Sequence, residues 1–287
     1  MAQIKVIKSN GERELLSLGK IINALRRSGA SDKLAEQIAL EIKKIAWSGI
    51  STREIYKIAK RKLKQTSPAL AARYSLRDAI FKLGPSGFEF EKYIMLLLRA
   101  YGYKAYLPEI LEGRCITHEV DIIAEKDDKK IMIECKLRHS TNIFIDIKDT
   151  MSTWARFMDL RDGAKLGKCP QIDECWLVTN SRFSYDSEKY GECKKMGLLS
   201  WNHPQEKPLP AWIDNKKLYP ITVLASIKKF HLSAFSLAEI LLLQDVIKYN
   251  IDQLMQKTRL SKRQLAPILK EAKEVLQFNP NNKVIRK

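Results

Sequence analysis

The chain has 287 residues, 45% hydrophobic and 29% charged, a composition typical of a folded protein with room for two or three domains. No apolar run approaches the roughly 20 residues of a membrane-spanning helix, and the first eight residues alternate like a strand rather than resembling a secretory signal. We therefore expect a cytoplasmic protein without a membrane partner. The five cysteines are odd in number and lack CxxC spacing, which argues against a disulfide framework and a zinc site.

Positive charge is concentrated towards the two ends of the chain, which carries a formal net charge of +18. Residues 1–82 contain 18 Lys and Arg against 7 Asp and Glu, and residues 221–287 contain 12 against 5, whereas residues 83–220 are balanced. Basic segments on both sides of a neutral one indicate a polyanionic partner. The alternative is that the lysine-rich helices only present solvated faces.

The first 83 residues predict a β-hairpin followed by four helices. The pair Asn10-Gly11 between two alternating stretches is typical of a two-residue type I′ turn. Ser51 and Glu54 have the spacing of a capping box at the start of the third helix. The helices are predicted over residues 20–27, 32–46, 51–65 and 69–83. Such a hairpin over helices, with lysines near its open side, would suit an anionic nucleotide.

This segment resembles the ATP-cone, the nucleotide-sensing module of ribonucleotide reductases and of the repressor of their genes. The matching segments are Val6-Ile-Lys-Ser-Asn-Gly11, Lys20-Ile21, Gly49-Ile-Ser-Thr52 and Ala72-Arg-Tyr74 with Arg77. The resemblance implies ATP or dATP as a regulatory ligand, with Lys8 and Lys20 contacting the phosphates. Thr52 and Glu14 would contact the nucleoside end or its ribose. A basic helical DNA-binding module without a nucleotide is the alternative.

Two short apolar runs around Asp127-Asp128 predict a second β-hairpin, which ends at Lys136. With these two aspartates at the tip, one face of the hairpin is apolar and pairs Val120 with Cys135, Ile122 with Ile133 and Ala124 with Ile131. The other face pairs Asp121 with Glu134. Lys136 lies on the same side.

Directly opposed carboxylates repel each other, so a register that pairs Asp121 with Glu134 needs a compensating charge. A divalent cation such as Mg²⁺ would supply it, and a neighbouring lysine can hold or activate a metal-associated water. The alternative is a surface hairpin whose charges are solvated. His118 and His139 flank this site, and we interpret both as surface or substrate-contact residues rather than ligands.

Asp121 with Glu134-Cys-Lys136 resembles the PD-(D/E)xK nuclease signature. The flanking sequence resembles the Mrr-like, type IV restriction endonuclease-like branch of that superfamily. The matching flanks are Gly87-Phe-Glu-Phe-Glu91 before a helix over residues 91–100, and Leu177-Val-Thr-Asn180 and Leu198-Leu-Ser-Trp201 as closing strands.

This resemblance implies a restriction-endonuclease-like α/β/α domain with a mixed sheet and metal-dependent DNA cleavage. Asp121 and Glu134 would hold Mg²⁺ or Mn²⁺, with the carbonyl of Cys135 as a further ligand. Lys136 would orient the attacking water, and Glu91 would add an outer contact from its helix.

Downstream of the hairpin, a helix is predicted over residues 146–160 because apolar residues recur at helical spacing. We expect this stripe to belong to the core: it consists of Ile147, Met151, Trp154, Ala155 and Met158. A further helix is predicted over residues 185–196.

Prolines at positions 204, 208, 210 and 220 predict a linker, beyond which helices are predicted over residues 236–249, 251–257 and 261–277. Arg259, Lys262 and Arg263 cluster around the start of the last helix. A helix start with nearby cations can hold a DNA phosphate without reading sequence. The segment loosely resembles a helix-hairpin-helix DNA-binding unit, and the alternative is a packing or dimerisation domain.

The sequence therefore predicts an α/β multi-domain protein: an ATP-cone over residues 1–83, a nuclease domain over residues 84–204, and a linker with a small basic helical domain over residues 205–287. The leading hypothesis is a Mg²⁺-dependent endodeoxyribonuclease acting on double-stranded DNA, regulated by ATP or dATP and forming a nucleotide-dependent homo-oligomer. A nucleotide-responsive DNA-binding regulator with an inactive nuclease fold is the competing hypothesis. RNA as the substrate stays open because phosphodiester chemistry is shared.

Overall fold

The computed structural model describes residues 4–8, 10–83, 90–107, 109–139 and 143–278, and these form two compact units. The first unit combines the described residues within 1–78, 223–228 and 243–287. The second combines those within 79–222 and 229–242. No described helix is long and apolar enough to cross a membrane. The compact units cross the domain boundaries drawn from the sequence, which stay a prediction.

The N-terminal hairpin consists of β1 (Lys5–Ile7) and β2 (Arg13–Leu15), paired antiparallel. The backbone N–H of Lys8 donates to the carbonyl of Glu12 at 2.8 Å, and that of Gly11 donates to the carbonyl of Lys8 at 3.0 Å. The connection therefore spans three residues, and the predicted two-residue type I′ turn was wrong. Gly11, at φ +85°, supplies the left-handed position that a three-residue hairpin loop requires.

Five helices follow: α1 (Leu18–Arg27), α2 (Asp32–Ile45), α3 (Thr52–Thr66), α4 (Pro68–Tyr74) and α5 (Leu76–Phe81). The predicted capping box is confirmed, since Ser51 and Glu54 exchange both backbone-to-side-chain bonds at 3.1 and 3.2 Å. The fourth predicted helix is divided in two at Ser75. Its hydroxyl donates to the carbonyls of Ala71 and Ala72, which ends α4.

The strands of the second unit are β3 (Lys104–Tyr106), β4 (Glu109–Glu112), β5 (Thr117–Val120), β6 (Ile122–Lys126), β7 (Lys129–Lys136), β8 (Glu174–Thr179) and β9 (Gly197–Leu199). Five of them form a sheet in the order β3-β6-β7-β8-β9. Its first three strands are antiparallel and its last three parallel, so the predicted mixed sheet is confirmed. A separate two-stranded sheet pairs β4 with β5.

Three helices pack with this sheet: α6 (Phe90–Ala100), α7 (Ile147–Lys165) and α8 (Tyr185–Cys193). One face of the sheet, carrying Ile123, Met132 and Leu177, packs against Phe157 and Leu160 of α7. The opposite face is also buried, and α6 packs against β6 and β7. Both faces of the central hairpin are therefore covered.

The apolar stripe predicted as the core face of α7 is only partly the buried face, since Trp154 and Met158 pack against the core while two other members of the stripe are exposed. Met151 is 49% exposed and Ala155 is exposed as well, whereas Thr150 and Thr153 are buried beside Phe157. The two threonine hydroxyls donate to backbone carbonyls four residues earlier, at 3.3 and 2.9 Å. Because these polar groups are satisfied within the helix, the buried face can be partly polar, and apolar spacing alone identified only part of it.

The remaining helices are α9 (Leu209–Lys216), α10 (Lys229–Leu237), α11 (Leu243–Ile247), α12 (Ile251–Thr258) and α13 (Lys262–Gln277). The proline-rich stretch predicted as a linker is folded, since α9 buries Leu209 and Ile213 in the second unit. The hydroxyl of Tyr93 donates to the carbonyl of Leu218 at 2.9 Å, and that of Tyr101 donates to Trp212 at 3.0 Å.

The helix predicted over residues 236–249 was wrong, because α10 ends at Leu237 and α11 begins only at Leu243. The intervening chain makes a bridge between Pro220 and Leu242, and the N–H of Ile221 donates to the carbonyl of Leu241 at 2.9 Å. This long-range pairing replaces helical hydrogen bonds. The helices predicted over residues 251–257 and 261–277 are confirmed as α12 and α13.

Within the first unit, helices near the C-terminus pack together with the N-terminal residues. Helix α13 packs against α4, and Phe278 packs on the core formed by α1, α2 and α3. The fully buried members of that core include Leu25, Ala35, Ile42, Ile50, Ala59 and Leu63. The C-terminal helices therefore stabilise the same compact unit as the hairpin and its helices.

Candidate active site

The central hairpin forms in the predicted register from its tip to Ile122. Ile122 pairs with Ile133 and Ala124 with Ile131, while Asp127 and Asp128 at the tip have φ of +50° and +59°. Both tip residues thus occupy the left-handed region that a type I′ hairpin turn needs. Alternating apolar residues and a two-residue tip were sufficient to predict this pairing.

The predicted pairing beyond Ile122 was wrong, because β6 begins there and β5 ends at Val120. Strand β5 pairs with β4 instead, and Asp121 lies at the junction between the two sheets. Its Oδ2 accepts the backbone N–H of Cys135 at 2.7 Å. A side-chain oxygen thus takes a backbone donor of β7, and this holds the Asp121 carboxylate beside the strand position of Glu134.

Glu134 is a buried carboxylate that contacts two cations. Its Oε1 lies 2.6 Å from Nζ of Lys136, and its Oε2 lies 2.5 Å from Nη1 of Arg156, which also donates to the carbonyl of Glu119 at 3.2 Å. Only 4% of Glu134 is exposed, so these partners compensate a charge that would otherwise be costly to bury.

Arg156 is the residue that the sequence analysis missed. It lies on α7 between an exposed alanine and the buried Phe157, and its local sequence carries no motif. The available signal was electrostatic: two carboxylates predicted at one end of a hairpin exceed the single cation of Lys136. An additional arginine from a neighbouring helix balances this excess.

The environment of the Asp121 carboxyl disfavours its charged form. Burial, followed by the charge of Glu134, raises its pKa from 3.8 to about 6, and the charge of Glu91 acts in the same direction. The N–H of Cys135 and the ammonium of Lys136 oppose this shift. Glu91, at the start of α6, thus acts on the site through its charge. Burial also raises the pKa of the Cys135 thiol well above its ordinary value, so this thiol stays neutral.

The carboxylate pair fits a hard divalent cation. The charge of Glu134 raises the pKa of Asp121, and this repulsion is relieved when a cation lies between the two carboxylates. Among the residues that the structure describes, no group of three or more His, Cys, Asp and Glu side chains could hold a metal ion. A cation here would therefore depend on two carboxylates, a backbone carbonyl and water, a ligand set that Mg²⁺ accepts.

The raised pKa of Asp121 predicts how the stability of the metal-free protein depends on pH. Because the fold favours the protonated carboxyl, the stabilisation is complete below about pH 4 and is lost as the pH rises through about 6. A shift of this size corresponds to about 3 kcal/mol, and solvent screening of the partly exposed group reduces the expected effect to about 1 kcal/mol. Urea unfolding in EDTA should show this component in wild type and lose it in Asp121→Asn. Parallel pH profiles for the two proteins would contradict it.

The two histidines near the site have partners of their own. His118 lies 2.8 Å from the carboxylate of Asp159, and this hydrogen bond is the main reason that the pKa of Asp159 falls to about 2. His139 lies 3.3 Å from the carbonyl of Phe81. The contact with Asp159 holds His118 to α7, whereas a role of either histidine in substrate contact stays a prediction.

The residues predicted to bind a nucleotide come together at the N-terminal hairpin. Nζ of Lys8 and Nζ of Lys20 lie 3.4 and 2.8 Å from the same carboxylate oxygen of Glu14. A bridge between Ile7 and Ser51 brings the start of α3, and with it Thr52, next to β1. The structure thus places two lysines, a glutamate and a helix start in one small area.

The basic residues predicted to contact DNA also lie together. Arg259 follows α12 at φ +56°, and Lys262 and Arg263 form the first turn of α13. All three side chains are exposed. The predicted start of α13 is confirmed by the N–H of Ser261, which donates to the side chain of Gln264 at 2.8 Å.

Comparison with known proteins matches three segments of the chain to family models. These are an ATP cone domain over residues 4–82, a restriction endonuclease domain of the Mrr type over residues 84–203 and an AF1548-like C-terminal domain over residues 219–276. An uncharacterized protein of Archaeoglobus fulgidus is 32% identical over 180 residues, which cover 63% of this chain and 98% of that protein. A crystal structure of a protein of unknown function, AF1548, has a TM-score of 0.56 and 29% identity, covering 69% of this chain and 98% of its own.

The fold, the Asp-Glu-Lys arrangement and these matches together define an Mrr-type restriction-endonuclease-like domain joined to an ATP-cone domain, which confirms both resemblances. The chain belongs to the family of the Archaeoglobus fulgidus protein, and its C-terminal segment is AF1548-like.

Proposed function

We propose that the protein is a metal-dependent DNA endonuclease that hydrolyses phosphodiester bonds. The observation that carries this proposal is the convergence of Asp121, Glu134 and Lys136 at the end of β7, with the two carboxylates close enough to raise the pKa of one of them. A structural scaffold gains nothing from such a repulsive pair, whereas a cation site depends on it. The basic ends of the chain support a polyanionic substrate.

Each residue of the site then has a distinct role. Asp121, Glu134 and the carbonyl of Cys135 would hold Mg²⁺ or Mn²⁺, which supplies Lewis-acid polarisation of the phosphate and a more acidic water. The ammonium of Lys136 orients the attacking water and offsets the negative charge that develops in the transition state. Glu91 adds negative charge from α6. Arg156 contributes a second cation, and its planar guanidinium suits a phosphate oxygen.

The direct test is cleavage of supercoiled plasmid DNA. Wild type with Mg²⁺ or Mn²⁺ should produce nicked and linear products, and EDTA should prevent this. If the plasmid stays intact with either metal while the protein binds DNA, the competing hypothesis of a nucleotide-responsive regulator gains support. Cleavage of a labelled RNA of the same sequence would support RNA as the substrate.

The N-terminal hairpin is proposed to bind ATP or dATP as an effector. Lys8 and Lys20 share the carboxylate of Glu14, and an arriving phosphate would compete for these cations, while Thr52 lies at the neighbouring helix start. The sequence contains no GxxxxGK[ST] phosphate-binding loop, so the nucleotide should persist as a ligand without being hydrolysed. Because a ligand acts through its differential affinity for two states, we expect a change in oligomeric state.

Lys8→Ala and Lys20→Ala should each weaken nucleotide binding about tenfold or more, since each removes a charge-assisted hydrogen bond to phosphate. Calorimetry measures this affinity, and light scattering with and without ATP or dATP measures the change in mass. Lys33→Ala, an exposed lysine in the first turn of α2, is the control. If calorimetry detects neither nucleotide, the N-terminal segment is a basic DNA-binding lobe instead.

The cluster of Arg259, Lys262 and Arg263 is proposed to contact DNA phosphates. Replacing all three by alanine should weaken binding to every DNA sequence alike and reduce the salt dependence by up to roughly three counterions. Replacing Lys270 and Lys273, exposed farther along α13, controls for net charge. A salt slope equal to that of wild type would leave this surface a packing or dimerisation surface.

A further inference from the structure

A surface cavity of about 390 Å³, wide open to solvent, lies beside the carboxylate site and shares Arg156 with it. Ile116 and Ala155 provide apolar parts of its wall, and His118 and Ser152 provide polar groups. Its size is within the usual range for small-ligand pockets, and its mixture of apolar wall and a few polar groups is typical of them.

The wall of this cavity is held rigidly by Asp159. The carboxylate accepts the backbone N–H groups of Cys115 and Ile116 at 2.9 and 3.3 Å as well as the ring of His118, and the carbonyl of Asp159 accepts the N–H of Arg114 at 2.9 Å. These bonds hold the turn between β4 and β5 against α7.

The turn between β4 and β5 is also in direct backbone contact with α7, at Gly113 and Gly163. A Cβ atom on Gly163 of α7 would lie 2.7 Å from the backbone of Gly113, closer than real Cβ atoms approach. No side chain fits between α7 and the turn at this point. The cavity is therefore formed before any ligand arrives, which lowers the entropic cost of binding.

The charges around the cavity restrict what it can bind. Asp159 already accepts three donors, so its negative charge needs no cationic ligand. Arg156 brings the neighbouring positive charge. Ile116, which is 63% exposed, and Ala155 supply apolar surface that an apolar ligand group can cover. A flat, apolar group with polar edges, attached to a phosphate, matches these features.

We propose that this cavity binds the base of an unpaired nucleotide adjoining the scissile phosphate, an inference that rests on the proposed nuclease function. Arg156 connects the carboxylate site with the cavity, because its Nη1 lies 2.5 Å from Oε2 of Glu134 and its side chain lines the cavity. A base in a paired duplex is stacked and cannot enter. Taking a base out of the stack costs least where it is already unpaired, so the protein should select DNA with an unpaired nucleotide at the cut site.

Binding and cleavage of three labelled duplexes test this proposal: one fully paired, one with a single unpaired adenine, and one with an unpaired abasic residue at the same position. Fluorescence anisotropy in EDTA should show about tenfold tighter binding of the unpaired-adenine duplex than of either other duplex. With Mg²⁺, cleavage should occur next to the unpaired adenine.

Ala155→Trp fills the cavity and should reduce the ratio of unpaired to paired binding to about one. Ala164→Trp makes the same substitution on the same helix outside the cavity lining and should keep the wild-type ratio. Equal binding of all three duplexes by wild type, or a preference that survives Ala155→Trp, would overturn the proposal. A preference for the abasic duplex equal to that for adenine would also overturn it, since it would indicate selection of a flexible joint.

The anisotropy measurement separates this inference from the proposed function. If the protein cleaves none of the duplexes but binds the unpaired adenine selectively through the cavity, the nuclease proposal fails while the base site stands. If it cleaves paired DNA and shows no preference, the base site fails while the nuclease stands.

Discussion

Asp121→Asn should lower DNA cleavage by at least about 100-fold, because the variant removes one of the two charges proposed to hold the cation that stabilises the transition state. The asparagine can still accept the N–H of Cys135 through its side-chain oxygen, so the junction between β5 and β6 is preserved. Glu134→Gln should lose as much activity. The effect of Glu134→Gln is harder to assign to the cation alone, since this variant also leaves Lys136 and Arg156 without their charged partner.

Glu125→Gln provides the matched control for this prediction. Glu125 lies on the same hairpin and faces Lys130 at 3.1 Å, farther from the junction than Glu134. Initial rates on supercoiled plasmid, together with circular dichroism to verify folding, should show near-normal activity for this variant. An Asp121→Asn protein that nicks DNA at the wild-type rate would refute the assignment of the site.

Lys136→Ala is the second large effect that we expect: cleavage should fall by about 100-fold or more while DNA affinity is retained. The lysine is proposed to act on the water and on the transition state, so its removal should affect turnover rather than binding. Its position is well defined, because its carbonyl accepts the hydroxyl of Thr179 at 2.7 Å and its ammonium contacts Glu134.

Lys130→Ala removes a lysine from the same strand and controls for the loss of a positive charge near the sheet. Single-turnover cleavage and gel-shift affinity, measured on one duplex for all variants, separate the two effects. If Lys136→Ala lost affinity in proportion to cleavage, the lysine would be a phosphate contact, and the water would need another partner.

The sequence by itself determined the elements whose formation depends on neighbours along the chain. The register of the central hairpin followed from alternating apolar residues and from two aspartates that tolerate the left-handed region. The start of α3 followed from the capping box of Ser51 and Glu54, in which each residue satisfies the other's backbone N–H. The spacing of Asp121, Glu134 and Lys136 in turn predicted the residues that the hairpin brings together.

Tertiary structure alone decided the features that depend on distant partners. Asp121 leaves the strand pairing because β5 pairs with β4, and Glu134 acquires Arg156 from a helix that follows it in the chain. The break between α10 and α11 arises from pairing with Pro220. The buried face of α7 includes threonines whose hydroxyls bond within the helix, so apolar spacing identified only part of that face. In each case a long-range contact outweighs a local preference that differs from it by only a fraction of a kcal/mol per residue.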